Sequence, residues 1–167
     1  MVNLKIIPGQ SLKDGVLEIL YEKMVEDHTS ETVFMDGSIS NAQEFVKAMK
    51  GVQFFCVVDN EKPAMMFWLN NFTSRAAQAH FCVFKEYWGK RGIELGKHCL
   101  QEFLHKQDDN GYILDVISGT IPVSNKRAVQ YVKKVGMKKV GILPKSIWNK
   151  KTQKSEDTLI VYIERNE

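Results

Sequence analysis

The chain has 167 residues, of which 44% are hydrophobic and 26% are charged, and its formal net charge is +3. These values are typical of one folded, water-soluble domain and exclude a disordered tail. No apolar run approaches the ~20 residues of a membrane-spanning helix, and the first ten residues lack the apolar core of a signal peptide. We therefore expect one domain over residues 1–167, with no membrane partner.

The first half of the chain predicts two helices between short strands. A strand over Leu4–Ile7 ends at a Pro-Gly pair, and a helix over Asp14–Glu26 carries its apolar residues on one side. Residues 28–40 are polar and contain glycine, which indicates a loop. Asn41 caps a second helix, whose apolar face consists of Ala42, Phe45, Val46 and Met49. Three strand-like runs follow, Gln53–Val58, Ala64–Leu69 and Ala76–Phe84.

The second half alternates helices with strands. A helix over Gly92–Lys106 precedes an apolar strand over Tyr112–Ile117, which the run SGTIP is expected to end. A basic helix begins at Ser124 or Asn125 and ends at Gly136, which can adopt the left-handed conformation. The last two strands, Lys138–Leu143 and Thr158–Glu164, flank a Lys-rich loop. The order β-α-α-β-β-β-α-β-α-β-β predicts an α/β (α+β) domain, a mixed sheet with helices on its faces.

The cysteines and histidines do not indicate a metal site. Cys56, Cys82 and Cys99 are scattered and form no CxxC pair. Two of the three lie in apolar, strand-like runs, so we expect buried free thiols, as in a reducing compartment. The sequence therefore predicts a cytoplasmic protein without a bound metal.

Positive charge is concentrated in one segment. Residues 124–154 hold ten Lys or Arg residues and no acid, whereas the rest of the chain holds 13 basic and 20 acidic residues. This asymmetry indicates an anionic partner, either the phosphates of a nucleotide cofactor or a nucleic acid backbone. A solvated helix face followed by a Lys-rich loop would produce the same pattern.

The basic helix has an informative spacing. Asn125, Ala128, Val132 and Gly136 occupy N-x-x-A-x-x-x-V-x-x-x-G, which resembles the last motif of the GNAT superfamily of acyl-CoA N-acyltransferases. Upstream, HFCVFKEYWGKRG resembles the family's passage from a strand into a helix. The C-terminal stretch resembles the family's closing hairpin, whose places are held by Gly136, Gly141, Asp157 and Tyr162. The nearest branch in pattern is that of the ribosomal-protein N-terminal acetyltransferases.

This resemblance implies a mostly antiparallel GNAT-like sheet whose fourth strand diverges from the fifth. Backbone groups of Phe81, Val83 and Phe84 would then bind the pantetheine of acetyl-CoA, the expected co-substrate. The pyrophosphate would lie on backbone amides at the start of the next helix. That turn consists of Gly89, Lys90, Arg91 and Gly92. Two further cofactor contacts are expected from the basic helix, Asn125 and Arg127.

The phosphate-binding turn departs from the family pattern Q/R-x-x-G-x-G/A. Alignment on Gly92 places Glu94 at the last small residue, whereas alignment on Gly89 places Arg91 at a glycine position. Lys90 and Arg91 supply positive charge, but a side chain does not reproduce the close backbone approach that glycine allows.

The catalytic hydroxyl groups of the family are missing. Val132 stands in the place of the usual Tyr, and Ala128 stands in the place of the Ser of the N-terminal acetyltransferase branch. Proton donors to the leaving thiolate would then be Tyr131, Ser124 or water. A structural role in the core is the other interpretation of Tyr131. Candidates for the general base are His80, in the fourth strand, and Glu86, just beyond it.

The acceptor pocket of this fold is lined by the first helices, the loop between them and the final hairpin. Residues 28–40 would form a lid on the acceptor side. The apolar residues contributed by these segments are Phe34, Met35, Met65, Phe67, Trp68 and Trp148. We expect most of them in the core, with Trp148 as the exception because it lies among lysines.

Three functions compete at this level. The first is an acetyl-CoA-dependent N-acyltransferase in which a primary amine, of a protein N-terminus or a small molecule, attacks the thioester directly, in a monomer or a homodimer. The second is a GNAT-fold binding or structural protein that has lost catalysis, as occurs among phage-encoded proteins. The third is a nucleic-acid-binding module that stacks bases on Trp148 and Tyr131. No nucleic-acid-binding motif supports the third.

Overall fold

The computed structural model describes residues 3–166, which form a seven-stranded sheet, a two-stranded ribbon, five α-helices and two short 3-10 helices. The strands are β1 (Leu4–Pro8), β2 (Gln53–Asp59), β3 (Lys62–Asn70), β4 (Ala76–Val83), β5 (Gln107–Asp108), β6 (Gly111–Tyr112), β7 (Val116–Pro122), β8 (Lys138–Asn149) and β9 (Lys154–Glu164). The helices are α1 (Asp14–Glu26), α2 (Ser30–Val33), α3 (Ala42–Lys50), α4 (Lys90–Leu104) and α5 (Lys126–Lys134). None of these helices is long and apolar enough to cross a membrane. Residues 1, 2 and 167, which the single-domain prediction includes, lie outside the described part, and that prediction stays a prediction.

The large sheet has the strand order β1-β2-β3-β4-β7-β9-β8. All neighbouring strands are antiparallel except β4 and β7, which are parallel. The parallel pairing covers only Ala76–Gln78 against Val116–Ser118, although both strands continue for several residues. The prediction of a mixed, mostly antiparallel sheet is confirmed, and β4 and β7 diverge beyond Gln78.

Two hydrophobic cores lie on opposite faces of the sheet. On one face, α4 and α5 cover a core in which Phe67 and Phe103 stack at 4.9 Å between ring centroids. On the other face, α1 and α3 cover a core that contains Met24, Phe45 and Met66, each with no exposed surface. Since successive residues of a strand point to opposite faces, β3 supplies side chains to both cores.

Helices α4 and α5 approach each other closely at Gly96. A Cβ atom at this position would lie 2.1 Å from the Tyr131 hydroxyl oxygen and 2.9 Å from Val135 Cγ1. We expect Gly96→Ala to lower the free energy of unfolding by about 1 kcal/mol, because overpacking outweighs the better helix propensity of Ala. Urea titration measures this loss, and Tyr131→Phe in the same chain should restore part of it.

Gly15→Ala is the matched control for this prediction. Gly15 lies in α1, and a Cβ atom there would meet nothing within 4 Å. This variant should be as stable as the parent or slightly more stable. A Gly96→Ala variant as stable as the Gly15→Ala variant would contradict the close approach of the two helices.

The predicted helix bounds and caps, which depend on neighbouring residues, are found in the structure. Helix α1 has the predicted bounds, and the Asn41 side chain accepts a hydrogen bond from the Glu44 amide at 2.9 Å. The Asn125 side chain likewise caps α5, accepting from the Ala128 amide at 3.2 Å. Gly136 follows α5 with φ of +101°, as predicted.

Four predicted segments need correction. The predicted loop over residues 28–40 contains the short helix α2, and the third long helix begins at Lys90 instead of Gly92. The strand predicted over Tyr112–Ile117 is wrong, because Tyr112 belongs to the small β5–β6 ribbon and the main strand runs to Pro122. The run SGTIP therefore lies inside β7, where β9 pairs with it throughout. The predicted Lys-rich loop is mostly strand, since β8 and β9 pair to their ends at Asn149 and Lys154.

Candidate functional site

The divergence of β4 and β7 opens a cleft between them. Two adjoining cavities of about 170 and 120 Å³ lie in this cleft. Their shared walls are Thr32, Val33, Phe81, Asn125, Ala128 and Tyr131. The larger cavity extends to Gly89 and Arg127 at the start of α4 and α5, and the smaller one extends to His80 and Pro122.

A larger hollow of about 960 Å³ lies elsewhere, among β1, β2, α3 and the end of α4. It contains none of the predicted site residues. We place the candidate site in the smaller cleft, because the part of β4 that has no strand partner on its β7 side and the start of α4 converge there.

The alternation of hydrogen bonds between β3 and β4 shows which residues of β4 direct their backbone N–H and C=O groups toward the cleft. The Phe84 amide donates to the Ala64 carbonyl at 3.0 Å, and residues of an antiparallel strand alternate in the side to which their backbone groups point. Phe81 and Val83 lie an odd number of positions from Phe84, so their backbone groups point the other way, away from β3 and toward the gap. The Phe84 carbonyl accepts from the Tyr87 amide at 2.9 Å, so both backbone groups of Phe84 are occupied. The prediction that Phe84 supplies free backbone groups is corrected.

The turn at Gly89 starts α4 at the mouth of the cleft. Gly89 has φ of +97° and ψ of −143°, a combination that only glycine adopts readily. Helix α4 begins at the next residue, and no side chain caps its first amides. A Cβ atom at Gly92 would lie 2.7 Å from the Tyr87 carbonyl oxygen. Both glycines are thus required by the backbone, and the turn itself is made at Gly89.

Arg91 is not directed to the cleft. Its guanidinium group binds the Asp59 carboxylate with two hydrogen bonds of 2.7 and 2.8 Å, and it also contacts Glu94 at 3.2 Å. The Asp59 side chain is only 6% exposed, and the hydrogen bonds from Arg91 hold the pKa of that carboxyl below its usual value. The predicted phosphate contact by Arg91 is corrected to a structural ion pair between β2 and α4. Lys90 and Arg127 remain as exposed cations near the turn.

Comparisons with known proteins agree with this geometry. No protein-family model matches the sequence, and no curated protein matches it significantly. Solved structures do match. The ribosomal-protein-S5-alanine acetyltransferase from Vibrio fischeri has 12% identity and a TM-score of 0.74 over 98% of this chain and 94% of its own. The spermidine N-acetyltransferase from Vibrio cholerae, in complex with CoA and spermine, has 18% identity and a TM-score of 0.73 over 96% of this chain and 95% of its own.

A microcin C7 self-immunity acetyltransferase in complex with acetyl-CoA and AMP matches with 15% identity and a TM-score of 0.74, over 97% of this chain and 92% of its own. All three matches span nearly the whole of both chains. The chain has the GNAT acetyltransferase fold. At 12–18% identity, this similarity is one of fold.

Tyr131 has a structural role in this GNAT fold. Its hydroxyl group donates to the Gly92 carbonyl at 3.0 Å, and its ring packs edge-on against Phe81 at 5.7 Å. Burial raises the pKa of this hydroxyl well above its usual value. A hydroxyl that already donates to a helix carbonyl is a poor proton donor to a thiolate. The catalytic prediction for Tyr131 is therefore corrected, and its half-buried ring, packed edge-on against Phe81, is not an exposed base-stacking platform.

Glu86 and Ser124 lie outside the two cavities of the GNAT cleft. Glu86 is exposed in a short turn before α4. Glu86 lines neither cavity, and its role as a general base stays a prediction. Ser124 donates its hydroxyl proton to the Glu156 carboxylate, which also accepts from Asn149. This network ties the β8–β9 hairpin to the start of α5.

His80 contributes an imidazole to the wall of the smaller cavity. Its Nε2 atom lies 2.9 Å from the Asn70 side-chain oxygen, and its ring stacks on Trp68 at 5.3 Å. Because the amide oxygen only accepts, Nε2 carries the proton and Nδ1 is unprotonated. Burial lowers the pKa of His80 to about 4, so the ring is neutral at pH 7. Its role as a base stays a prediction.

The depressed pKa of His80 makes stability depend on pH. Between about pH 6.5 and pH 4 the unfolded chain binds a proton that the folded chain does not, so acidification favours unfolding. We expect the free energy of unfolding to fall by about 1 kcal/mol from pH 7 to 5.5, and His80→Gln should remove most of this loss. His98→Gln, at an exposed position of α4, is the control and should keep it. Equal pH profiles for the two variants would contradict the burial of His80.

The apolar residues considered for the acceptor pocket lie mostly in the core, and Trp148 is the exposed exception, as predicted. Met65, Phe67 and Trp68 are core residues with at most 4% exposure, while Trp148 is 44% exposed. Phe34 stacks on Trp68 at 6.1 Å. The Met35 carbonyl accepts from the Lys150 amide at 3.0 Å, which joins the segment after α2 to the tip of the β8–β9 hairpin.

The segment predicted as an acceptor-side lid, residues 28–40, contributes one wall of the cleft through the turn after α1 and through α2, but the sequence did not single out which residues do so. Its role as a lid stays a prediction. His28, Thr29, Thr32 and Val33 line the larger cavity. His28 has φ of +57°, which turns the chain between the two helices. Only the polar, aperiodic composition of this segment was visible, and composition does not show which residues a turn aims at a neighbouring strand.

Proposed function

We propose that the chain is an acetyl-CoA-dependent N-acetyltransferase that acts on a primary amine. The observation that carries this proposal is the divergence of β4 from β7, with the backbone groups of Phe81 and Val83 facing the gap and the Gly89 turn at its mouth. Pantetheine contains two amides, which the backbone groups of β4 can bind where β7 no longer pairs with this strand. The uncapped amides of Lys90–Gly92 and the positive end of α4 suit a pyrophosphate.

The acetyl group would pass directly to the amine. Cys82 contributes to the wall of the cleft, but burial raises the pKa of its thiol to about 12, so it stays protonated and is a poor nucleophile. An acyl-cysteine intermediate is therefore disfavoured. The amine would attack the thioester carbonyl, the carbon–sulfur bond would break, and the CoA thiolate would take up a proton from water. Neutral His80 would accept the proton that the amine loses, directly or through water.

The solved structures with this fold support an amine as the acceptor. Their names specify a ribosomal-protein alanine and spermidine as substrates. A cytoplasmic location is part of the proposal and is supported by the three buried free thiols, Cys56, Cys82 and Cys99. A homodimer stays a prediction that sedimentation would test.

The decisive experiment incubates the purified chain with acetyl-CoA and a set of amines, with free CoA thiol and product mass as readouts. The set should include a peptide with a free N-terminus, the same peptide with a blocked N-terminus, and a polyamine. Transfer to a free amine and not to the blocked peptide is expected. Failure of the chain to bind CoA in a calorimetric titration at millimolar ligand would overturn the proposal.

A binding protein that has lost catalysis is the second candidate. It is favoured by the occupied Tyr131 hydroxyl and by Val132 and Ala128, which offer no replacement for it. This candidate predicts binding of CoA without transfer to any amine. The nucleic-acid alternative keeps one exposed aromatic, Trp148, and loses the other, Tyr131.

A further inference from the structure

The larger cavity of the cleft is too small for the ligand that its walls suit. Its volume of about 170 Å³ is below the ~300 Å³ at which small-molecule pockets usually begin. Two side chains on opposite walls narrow the opening of this cavity. Trp88 comes from the turn before α4, and Arg127 comes from the first turn of α5.

Trp88 occupies a backbone group that the divergence of the strands would leave free. Its indole N–H donates to the Val83 carbonyl at 2.8 Å. Val83 is one of the two residues of β4 whose backbone groups face the gap below the Gly89 turn. In this structure the indole therefore stands where an amide of an extended ligand would donate.

Arg127 holds Trp88 from the other wall. The guanidinium carbon lies 3.7 Å from the centre of the indole ring, which is a close cation–π contact. Arg127 is exposed and, among the described residues, forms no ion pair with an acid. Its charge is thus available to an anion, unlike that of Arg91.

We propose that Trp88 and Arg127 form a gate that acetyl-CoA opens. The phosphates attract Arg127 from the ring, the indole releases the Val83 carbonyl, and a pantetheine amide takes its place. A charge-assisted bond to phosphate is stronger than a cation–π contact at an exposed site, which gives the exchange its direction. This inference rests on the proposed function and adds a closed state of the free protein.

The test compares Trp88→Phe with Trp148→Phe in calorimetric titrations with CoA. Phe keeps a ring for Arg127 and removes the donor that competes for Val83, so the gate predicts a dissociation constant roughly threefold to tenfold lower than that of the parent. Trp148 is exposed and lies outside the cleft, and its variant should bind like the parent. Weaker or unchanged binding by Trp88→Phe would overturn the gate.

A second measurement uses the unmodified side chain. The indole N–H resonance of Trp88, assigned by its loss in Trp88→Phe, should exchange slowly with water in the free protein and should shift at saturating CoA. An unmoved resonance at saturation would overturn the gate while leaving the proposed function intact. Absence of CoA binding by the parent and by both variants would overturn the proposed function, and the gate with it.

The anion-seeking role of Arg127 has its own control. Arg127→Gln should raise the dissociation constant for CoA about tenfold and reduce its salt dependence. Lys126→Gln removes the neighbouring exposed charge and should change the constant by less than about twofold. Equal effects of the two substitutions would show a general charge effect and would contradict a specific role for Arg127.

Discussion

Gly89→Ala is expected to raise the dissociation constant for CoA roughly thirtyfold, a loss of about 2 kcal/mol in binding. Gly89 has φ of +97° and ψ of −143°, where a Cβ atom is strained although no neighbouring atom lies within 4 Å. The backbone would relieve this strain by rotating the turn. That rotation would move the amides that start α4 out of line with the pyrophosphate.

Gly111→Ala provides a matched control for the strain itself. Gly111 has φ of +101° and is also free of neighbours within 4 Å, but it lies in the β5–β6 ribbon, away from the cleft. Both variants should lose some stability in urea titrations, and only Gly89→Ala should lose affinity in calorimetry. Normal CoA binding by Gly89→Ala would remove the turn from the proposed cofactor site.

Arg91→Gln is expected to lower the free energy of unfolding by about 3 kcal/mol, because it leaves a buried carboxylate without its partner. The Asp59 side chain is 6% exposed, and the hydrogen bonds from Arg91 lower the pKa of its carboxyl. The affinity of the folded variant for CoA should stay within about threefold of that of the parent, since the guanidinium group points away from the cleft. Urea titration and calorimetry on the same preparation measure the two quantities.

Arg75→Gln is the control for burial. Arg75 also binds an aspartate with two hydrogen bonds, but the side chains of Arg75 and Asp115 are 49% and 41% exposed. Exposed ion pairs contribute little, so we expect a much smaller loss of stability than for Arg91→Gln. If Arg91→Gln weakened CoA binding tenfold and left stability unchanged, Arg91 would be a phosphate ligand and its assignment as a structural residue would fail.

The basic residues of positions 124–154 do not all serve one function. Their positive charge predicted an anionic partner, and the structure distributes that charge over α5, the long edge strand β8, the hairpin turn and the start of β9. Arg127 alone among these residues contributes to the wall of the cleft. A charge count therefore indicated the kind of partner, but it did not identify which cation meets it.

The sequence by itself determined the features that depend on neighbouring residues. Helix α1, the caps at Asn41 and Asn125, and the left-handed Gly136 follow from periodicity and from local hydrogen bonds, which are set within one turn of chain. The order of the elements followed in the same way and was enough to indicate a mixed sheet. The resemblance of the α5 motif and of two flanking stretches to the GNAT pattern then implied this fold.

The tertiary structure decided which groups of these elements meet. The register with β3 turns Phe81 and Val83 toward the cleft and Phe84 away from it, and the pairing with β9 keeps the turn-like run SGTIP in a strand. The choice of Asp59 as the partner of Arg91 joins residues 32 positions apart in the sequence. Such contacts depend on packing between segments that are distant in the sequence. The free energy of this packing exceeds the secondary-structure propensities of single residues, and it produces no periodic pattern in the sequence.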